Sequence, residues 1–453
     1  MNRGMPSYIV LLLDAAVIAG AIEAAAWAIR WWFFPWADIG FRGVTVSATA
    51  GLVSGVATSY LTGLHQAQLL VQRKEVILRS MLVGASTALG VLLASHFVWY
   101  QALGRTALVF VGVGSGVGVL AWRLVYGYFI QRGPRLRVIV LGDGARERQL
   151  VRMLEQVKHA RYDVAGLLGA GPRDELEGVP VLGAVDDAVK VCRAHGVGAV
   201  MVIGCADLDA SQRAALAALR VSGFDIQTAE GTLMALHGRV PLEMVDERWL
   251  LLLFEQLHQG RDRIKRVVDI VVASAGLAIL AVVAPLLYPL VRLTSKGPFI
   301  YAQTRVGFGN RPFRLYKIRT MTEATGSDAE HWATVGDARS TTVGRLLRRL
   351  RLDELPQFWN VLRGDMSVVG PRPEQPGIAA QLEQEISYFS YRHLVKPGIT
   401  GWAQIHYGYA ASVEESRMKL AYDLFYVRHH TLALDLDIML RTAFVMMARI
   451  GSR

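Results

Sequence analysis

Charged residues and cysteines are both scarce in this chain. Only 19% of its 453 residues are charged and 52% are hydrophobic, which is too apolar for an ordinary soluble protein of this length. Cys192 and Cys205 lack the spacing of a zinc site, so we expect core thiols in a reducing compartment. The net charge is +11, but no basic helix or aromatic RNA-binding signature accompanies it, so nucleic acid is not an expected partner. A basic, apolar chain indicates a membrane protein whose positive surface faces anionic lipids.

Four apolar runs fill the first part of the chain. Their approximate bounds are 8–28, 44–64, 81–100 and 107–129. Each is near the ~20 residues that a helix needs to cross a bilayer, so we predict a four-helix transmembrane region over residues 1–131. Basic residues are concentrated in the second loop and after the fourth run, which predicts a cytoplasmic N-terminus and a cytoplasmic segment after the bundle. Asp14, Glu23 and Arg123 are costly in lipid and are expected to face the bundle interior or an interface.

Strands and helices alternate in the next part of the chain. The predicted strands are 138–141, 164–168, 179–182, 199–203 and 225–228, with helices at 146–157, 186–195 and 209–222. This rhythm predicts a small Rossmann-like α/β domain over residues 132–247. Its Gly142-Asp143-Gly144 loop suggests a dinucleotide site, but Glu147 takes the third glycine position and no acidic residue ends the second strand. A fold-only or regulatory role is favoured, with a nicotinamide-dependent nucleotide-sugar enzyme as the alternative.

A fifth apolar run covers residues 267–291. It is long enough to cross the bilayer, but a crossing would carry the many basic residues after it to the far side, against the positive-inside rule. Pro285 interrupts the helix pattern and can turn the chain back. We therefore predict a re-entrant membrane helix at about 265–292, with Lys265 and Arg266 in the headgroup layer at its start.

Two adjacent carboxylates, Asp353 and Glu354, precede the proline of a short predicted helix. Pro356 suits the first turn of that helix and Gly364 suits its end. An isolated pair of this kind would ordinarily be a helix cap. Here Arg345, Arg348, Arg349 and Arg351 precede the pair, and Arg363 and Arg372 follow it. Basic side chains around paired acids fit the binding of a diphosphate through a metal ion.

Several ordered motif blocks lie between Lys265 and Thr442. They are Lys265-Arg266-x-x-Asp269, Gly297-Pro298, Gln303-x-Arg305-x-Gly307, Tyr316-Lys317-Ile318-Arg319-Thr320-Met321, Asp353-Glu354-Leu355-Pro356-Gln357, Asn360 through Ser367, Gly370-Pro371-Arg372-Pro373 and Lys396-Pro397-Gly398-Ile399-Thr400-Gly401. With these blocks the chain resembles the bacterial monotopic phosphoglycosyl transferases, which are polyprenyl-phosphate sugar-1-phosphate transferases. The preceding helices and α/β domain look like the large form of these enzymes. The tail from Gly401-Trp402-Ala403-Gln404 is similar to the exosortase-associated exopolysaccharide subgroup.

The resemblance implies a site and a reaction. It implies that Asp353 attacks a nucleotide diphosphosugar and holds the sugar phosphate covalently, with Mg²⁺ bound at Asp353. Glu354 would either assist the acceptor or bind the metal. The implied phosphate contacts are Lys317, Arg319, Arg363 and Arg372, and the implied anchors of the re-entrant helix are Lys265, Arg266, Asp269 and Pro285. The family usually bends that helix at Ser-Pro, whereas Ala284 precedes the proline here, so the position of the bend stays open.

The expected fold class is therefore a membrane protein of the α + α/β kind. It combines four transmembrane helices, the Rossmann-like domain and a mainly helical monotopic catalytic domain over residues 248–453. The implied partners are a nucleotide sugar with uridine as the base, undecaprenyl phosphate, membrane lipids and a second copy in a homodimer. The catalytic domain is expected on the cytoplasmic face of the bacterial inner membrane. All motif blocks follow Gly260, so a chain starting there is predicted to keep the transferase chemistry. The remaining alternative for the function of the protein is a non-catalytic membrane scaffold or regulator.

Overall fold

The structure is a computed structural model that describes most of the chain. The described residues are 7–28, 41–64, 73–97, 105–132, 135–156, 162–169, 173–176, 179–204, 208–245, 249–251, 253–254, 262–295, 297–321, 341–407 and 412–451. They form two compact units, Met1–Thr232 and Leu233–Arg453. Cys205 lies outside the described residues.

The first unit begins with the four predicted helices. They are α1 (Ser7–Ala28), α2 (Phe41–Leu61), α3 (Arg73–Phe97) and α4 (Arg105–Arg132). By length and apolar composition, α1, α3 and α4 could each cross a membrane, whereas α2 is not among the candidate spans. The reason is its sequence, FRGVTVSATAGLVSGVATSYL, in which serine, threonine and glycine dilute the apolar side chains. The four helices are confirmed, but a membrane crossing by α2 stays a prediction.

Small residues and one buried ion pair hold this bundle together. A Cβ added at Gly84 of α3 would lie 2.2 Å from the carbonyl oxygen of Gly112 on α4, so the two backbones are in direct contact. Asp14 is fully buried and accepts from Arg123 and from Ser59. This confirms the interior position expected of Asp14 and Arg123. Glu23, in contrast, is exposed on α1.

A six-stranded sheet completes the first unit. Its strands are β1 (Leu136–Leu141), β2 (Tyr162–Gly169), β3 (Arg173–Leu176), β4 (Val179–Ala184), β5 (Ala199–Val202) and β6 (Asp225–Thr228). The helices are α5 (Ala145–Gln156), α6 (Ala188–Ala194) and α7 (Ala210–Val221), and α8 (Ala229–His237) continues from the first unit into the second. The order is β3-β4-β2-β1-β5-β6, with all neighbours parallel except β3 and β4. Burial raises the pKa of Cys192 to about 11, as expected of a core thiol.

The sequence predicted five of these six strands to within about two residues. The missed strand is β3, a short antiparallel edge whose sequence is Arg-Asp-Glu-Leu. Those polar residues are depleted in strands, and only pairing with β4 orders them. The central strands β1 and β5 were easy to recognise because parallel strands buried on both faces are continuous apolar runs.

The second unit is mainly helical, as expected. Its elements are α9 (Asp262–Thr294), β7 (Ile300–Val306), β8 (Pro312–Ile318), α10 (Thr342–Arg349), α11 (Gln357–Arg363), β9 (Ser367–Val369), α12 (Pro376–Glu385), β10 (Gly398–Thr400), α13 (Trp402–His406), α14 (Val413–His429) and α15 (Leu432–Gly451). Strands β7 and β8 form an antiparallel hairpin, and β9 pairs parallel with β10. This framework positions the two carboxylates.

Helix α9 runs without interruption through Pro285 and Pro289. It is a candidate membrane span, and apolar side chains such as those of Val282 and Leu286 are exposed on it. The predicted re-entrant path therefore requires a bend within one helix rather than two helices joined by a loop, and it stays a prediction.

The second compact unit starts at residue 233, whereas the sequence placed the start of the catalytic domain at 248. We call residues 233–254 the linking segment. Five of its buried side chains join one apolar cluster with residues of α12 and α14; they are Met234, Val240, Trp249, Leu250 and Leu253. The Val240 amide donates to the Ala421 carbonyl oxygen at 2.9 Å. A chain starting near Gly260 would lose this part of the core, and the activity of such a chain stays a prediction.

Candidate active site

A strained turn presents the two carboxylates. Arg351 has a left-handed backbone (φ 54°), which costs a non-glycine residue about 1–2 kcal/mol. It redirects the chain from α10 into a 3₁₀ turn, Leu352–Glu354, that leads directly to α11. Pro356 is the N-cap of α11 and Gly364, at φ 89°, is its C-cap, as the sequence predicted. Backbone strain of this kind is concentrated at functional sites.

Glu354 is held between two arginines. Its Oε2 lies 3.0 Å from Nη1 of Arg351, and its Oε1 lies 3.4 Å from Nη1 of Arg372. The residue is only 8% exposed. Burial alone would raise the pKa of Glu354, but the charges of Arg372, Lys317 and Arg351 outweigh it and lower that pKa. Glu354 therefore stays ionised, with both oxygens occupied by cations of the protein.

Asp353 has a different environment. It is 7% exposed, and burial together with the neighbouring Glu354 raises its pKa, against the charges of Lys317, Arg348 and Arg372. Among the described residues, no hydrogen bond to its carboxylate is found. Two adjacent acids with pKa values displaced in opposite directions are typical of sites where one carboxylate reacts and the other stays charged.

Lys317 faces the same pair from strand β8. Burial, followed by the charge of Arg372, lowers its pKa to about 8, while the charges of Glu354 and Asp353 act in the opposite direction. Asn360 of α11 fixes this strand: it accepts from the Tyr316 amide at 3.1 Å and donates to the Arg314 carbonyl oxygen at 2.7 Å. The helix that follows the carboxylates thus also sets the position of the lysine.

The other two predicted phosphate contacts lie elsewhere. Arg319 packs against Gly297, where an added Cβ would lie 2.5 Å from its Nη1, and its Nε donates to the Pro298 carbonyl oxygen at 3.0 Å. Arg363 is half exposed and its Nε lies 3.3 Å from Oδ2 of Asp365. The structure therefore brings Lys317 and Arg372 to the carboxylates and shows Arg319 and Arg363 in contacts with other protein groups.

The predicted anchors of the re-entrant helix are bound by protein groups. Lys265 Nζ lies 2.7 Å from Oδ2 of Asp435, and Arg266 donates to the carbonyl oxygens of Val361 and Leu362, each at 2.6 Å. Oδ1 of the buried Asp269 accepts from the Ser367 hydroxyl at 3.0 Å and from the Val368 amide at 2.9 Å. These contacts fasten the start of α9 to α11, β9 and α15, and a position of Lys265 and Arg266 in the lipid headgroup layer stays a prediction.

Sequence reasoning missed Arg392. It is 4% exposed, and its Nη2 donates to the Arg372 carbonyl oxygen at 3.0 Å and lies 2.7 Å from Oδ2 of Asp423. The only signal in the sequence was its place just before the Lys396 motif block. Nothing in the local pattern indicated that this charge is buried.

The residues at the site fit a magnesium ion only in part. Among the described residues, no group of three or more histidine, cysteine, aspartate or glutamate side chains could hold a metal. Asp353 has carboxylate oxygens available, whereas both oxygens of Glu354 contact arginines. Mg²⁺ commonly binds one or two carboxylates and takes its other ligands from water and substrate phosphates. One protein ligand, Asp353, is compatible with that mode.

The side chain of Glu147 fills the space beside the glycine loop of the α/β domain. A Cβ added at Gly144 would lie 2.7 Å from Oε2 of Glu147, and one added at Gly142 would lie 3.0 Å from Oε1. In a dinucleotide site this space receives a pyrophosphate. A carboxylate there repels phosphate, which weighs against the nicotinamide alternative.

Two family models match the chain. One, described as bacterial sugar transferase, matches residues 260–449, and one described as CoA-binding domain matches residues 61–226. The first covers the acid pair and its basic neighbours. The second covers α3, α4 and most of the sheet domain.

Curated relatives match the same C-terminal region. A UDP-N-acetylgalactosamine-undecaprenyl-phosphate N-acetylgalactosaminephosphotransferase of Aeromonas hydrophila is 43% identical over 190 residues, 42% of this chain and 45% of that protein. A UDP-glucose:undecaprenyl-phosphate glucose-1-phosphate transferase of Escherichia coli K12 is 39% identical over 216 residues, 47% of this chain and 46% of that protein. One of the same name from Caulobacter vibrioides is 42% identical over 181 residues, 39% of this chain and 67% of that protein. The chain thus spans just under half the length of the first two relatives.

Proposed function

This chain belongs to the bacterial sugar transferases, and we propose that its Asp353 site transfers a sugar 1-phosphate from a UDP-sugar to undecaprenyl phosphate. The observation that carries the proposal is the buried acid pair within a basic frame: Glu354 held by Arg351 and Arg372, with Lys317 facing both acids. The relatives named above act, by their names, on different sugars at similar identity. The proposal is therefore for the substrate class, with the sugar left to assay.

The first half of the reaction is a displacement at phosphorus. A carboxylate oxygen of Asp353 attacks the phosphorus that bears the sugar, and the bond from that phosphorus to UMP breaks, with the electron pair leaving on UMP. Burial raises the pKa of Asp353, so its anion is poorly stabilised and correspondingly nucleophilic. The product is an aspartyl phosphosugar. In this proposal Lys317 and Arg372 stabilise the charge that develops on the phosphate oxygens.

The second half returns the enzyme to its starting state. An oxygen of the undecaprenyl phosphate attacks the same phosphorus, and the bond to Asp353 breaks with its electron pair on the carboxylate. Glu354 keeps Arg372 in position through both halves, because its lowered pKa preserves the ion pair. When bound, Mg²⁺ at Asp353 would neutralise charge on the diphosphate. The arginine contacts weigh against metal binding by Glu354, one of the two roles left open by the sequence, and support an electrostatic role in holding Arg372.

The arrangement of α9 supports a re-entrant membrane helix. Its start is bonded to Val361 and Ser367, and just beyond its end Ser295 Oγ donates to the Met321 carbonyl oxygen at 3.2 Å. A helix that crossed the ~30 Å hydrocarbon layer would carry its two ends to opposite sides. One compact catalytic unit contacts both flanks, which supports a path that keeps both flanks on the same side of the membrane. By the positive-inside rule the side that holds both flanks is the cytoplasmic face of the inner membrane. The proposal also includes a homodimer and membership of the exosortase-associated subgroup.

The test is a transfer assay with the full-length protein. Purified protein, undecaprenyl phosphate, magnesium and a panel of UDP-sugars should release UMP and form a lipid-linked sugar diphosphate. Asp353→Asn should abolish the release of UMP. Glu383→Gln, which changes an exposed residue of α12 in the same unit, should leave the release of UMP unchanged. Intact-mass detection of a phosphosugar adduct on Glu354→Gln would support the covalent step. Transfer by Asp353→Asn near the wild-type rate would refute the assignment of the nucleophile. Unchanged transfer after removal of magnesium would refute the role of the metal ion at Asp353.

A further inference from the structure

The loop that carries Arg372 is tied down at four successive carbonyl oxygens. We call residues 370–374 the Arg372 loop. Within it, the Pro371 oxygen accepts from the Gly398 amide at 2.9 Å and the Glu374 oxygen accepts from the Val306 amide at 2.9 Å. The two carbonyl oxygens between them accept from arginine side chains, the buried Arg392 and the partly buried Arg305. Arg392 Nη2 donates to the Arg372 oxygen at 3.0 Å, and Arg305 Nη1 donates to the Pro373 oxygen at 3.2 Å.

Both arginines themselves lie close to acids. Arg392 forms an ion pair with Asp423, which is 2% exposed, and its guanidinium lies over the Phe389 ring at 5.0 Å. Glu374 lies between the two guanidinium groups, with Oε1 3.8 Å from Arg392 Nη1 and Oε2 4.0 Å from Arg305 Nη1. Burying an ion pair costs free energy that its own attraction scarcely recovers, so such pairs are weak evidence for a purely stabilising role. Their geometry points instead to the loop that they hold.

We propose that Arg392, fixed by Asp423, is a positioning residue that holds the Arg372 backbone so that the Arg372 side chain reaches Glu354 and the donor phosphate. This rests on the proposed function for the reaction that Arg372 serves. Nη2 of Arg392 contacts both Oδ2 of Asp423 and the Arg372 carbonyl oxygen, while Nη1 lies 3.8 Å from Oε1 of Glu374. A lysine would keep the positive charge beside Asp423, but its single nitrogen lacks the planar, two-nitrogen geometry that holds these three contacts together. Loss of the backbone contact therefore frees the Arg372 loop without leaving Asp423 unpaired.

The experiment is a double-mutant cycle in the full-length protein. Arg392→Lys should lower kcat/KM for the UDP-sugar about 10- to 100-fold, since a shift of about 1 Å in a positioning group costs on that order. In an Arg372→Gln background the same change should cost less than about 3-fold, because the group that it positions is gone. Arg417→Lys, an exposed arginine paired with Glu414 on α14, is the matched control and should change neither background.

Equal losses in both backgrounds would overturn the proposal, since a general structural role is additive with Arg372→Gln. No loss in the wild-type background would also overturn it. Hydrogen exchange of a peptide spanning residues 367–378 gives a readout that does not depend on activity. Arg392→Lys should speed exchange there and Arg417→Lys should not. If the wild-type protein transferred no sugar phosphate, the proposed function would fail. Unchanged hydrogen exchange in Arg392→Lys would separately refute the positioning role of Arg392.

Discussion

Replacing Leu253 by alanine should destabilise the catalytic unit, although the family match begins seven residues later. Leu253 is 0% exposed and lies in one apolar cluster with Leu420 and Leu424 of α14. Truncating a fully buried leucine typically costs about 2–5 kcal/mol, from lost transfer energy and the cavity left behind. For a unit of this size, that corresponds to a fall of roughly 6–15 °C in Tm. Leu251 is the matched control, because it is 64% exposed and its truncation should change Tm by less than about 2 °C.

The assay is thermal unfolding of the full-length variants in detergent, followed through the tryptophan signal and by loss of UMP release. A second test compares two shortened chains that differ in whether they keep the linking segment. A chain starting at Ala229 keeps the whole linking segment, whereas one starting at Gly260 loses five buried apolar side chains, each worth about 1.5–3 kcal/mol. That sum of about 7–15 kcal/mol is comparable to the whole stability of a typical domain. The longer chain should therefore stay folded and the shorter one should aggregate or unfold.

Two outcomes would refute this reasoning. Equal Tm values for Leu253→Ala and Leu251→Ala would mean that the linking segment does not contribute to the core. A stable, active chain starting at Gly260 would mean that the catalytic fold closes over the exposed surface without the segment, as the sequence alone suggested.

Two further predictions concern charge and topology. Because the pKa of Lys317 is lowered to about 8, its positive charge is lost as pH rises through that value, so kcat/KM for the donor should fall above about pH 8. In Lys317→Arg this fall in kcat/KM should move to higher pH. The same pH dependence in both proteins would contradict a phosphate contact by Lys317. In a cysteine-free background, Arg311→Cys in the β7–β8 turn and Asp209→Cys before α7 should both be shielded from impermeant thiol reagents in intact cells. Labelling at residue 311 alone from outside would mean that α9 crosses the bilayer.

The sequence by itself determined the local features of this protein. Apolar runs of fixed length predicted the bundle, and continuous apolar strands predicted the centre of the sheet, because both signals depend on neighbours within a few residues. The carboxylate turn was also readable, since Pro356 and Gly364 bound α11 for backbone reasons that hold in any context. The ordered motif blocks then indicated the family, which the comparisons confirmed.

Only the tertiary structure decided which charges meet. Lys317 and Arg319 are two residues apart near the end of one strand, yet the first faces the acids and the second lies against Gly297. Arg392 entered the site through a backbone contact 20 residues away, and the linking segment joined the core by packing on α14. Each depends on burial and on contacts between distant parts of the chain, and hydrophobic periodicity along the sequence carries no information about such contacts.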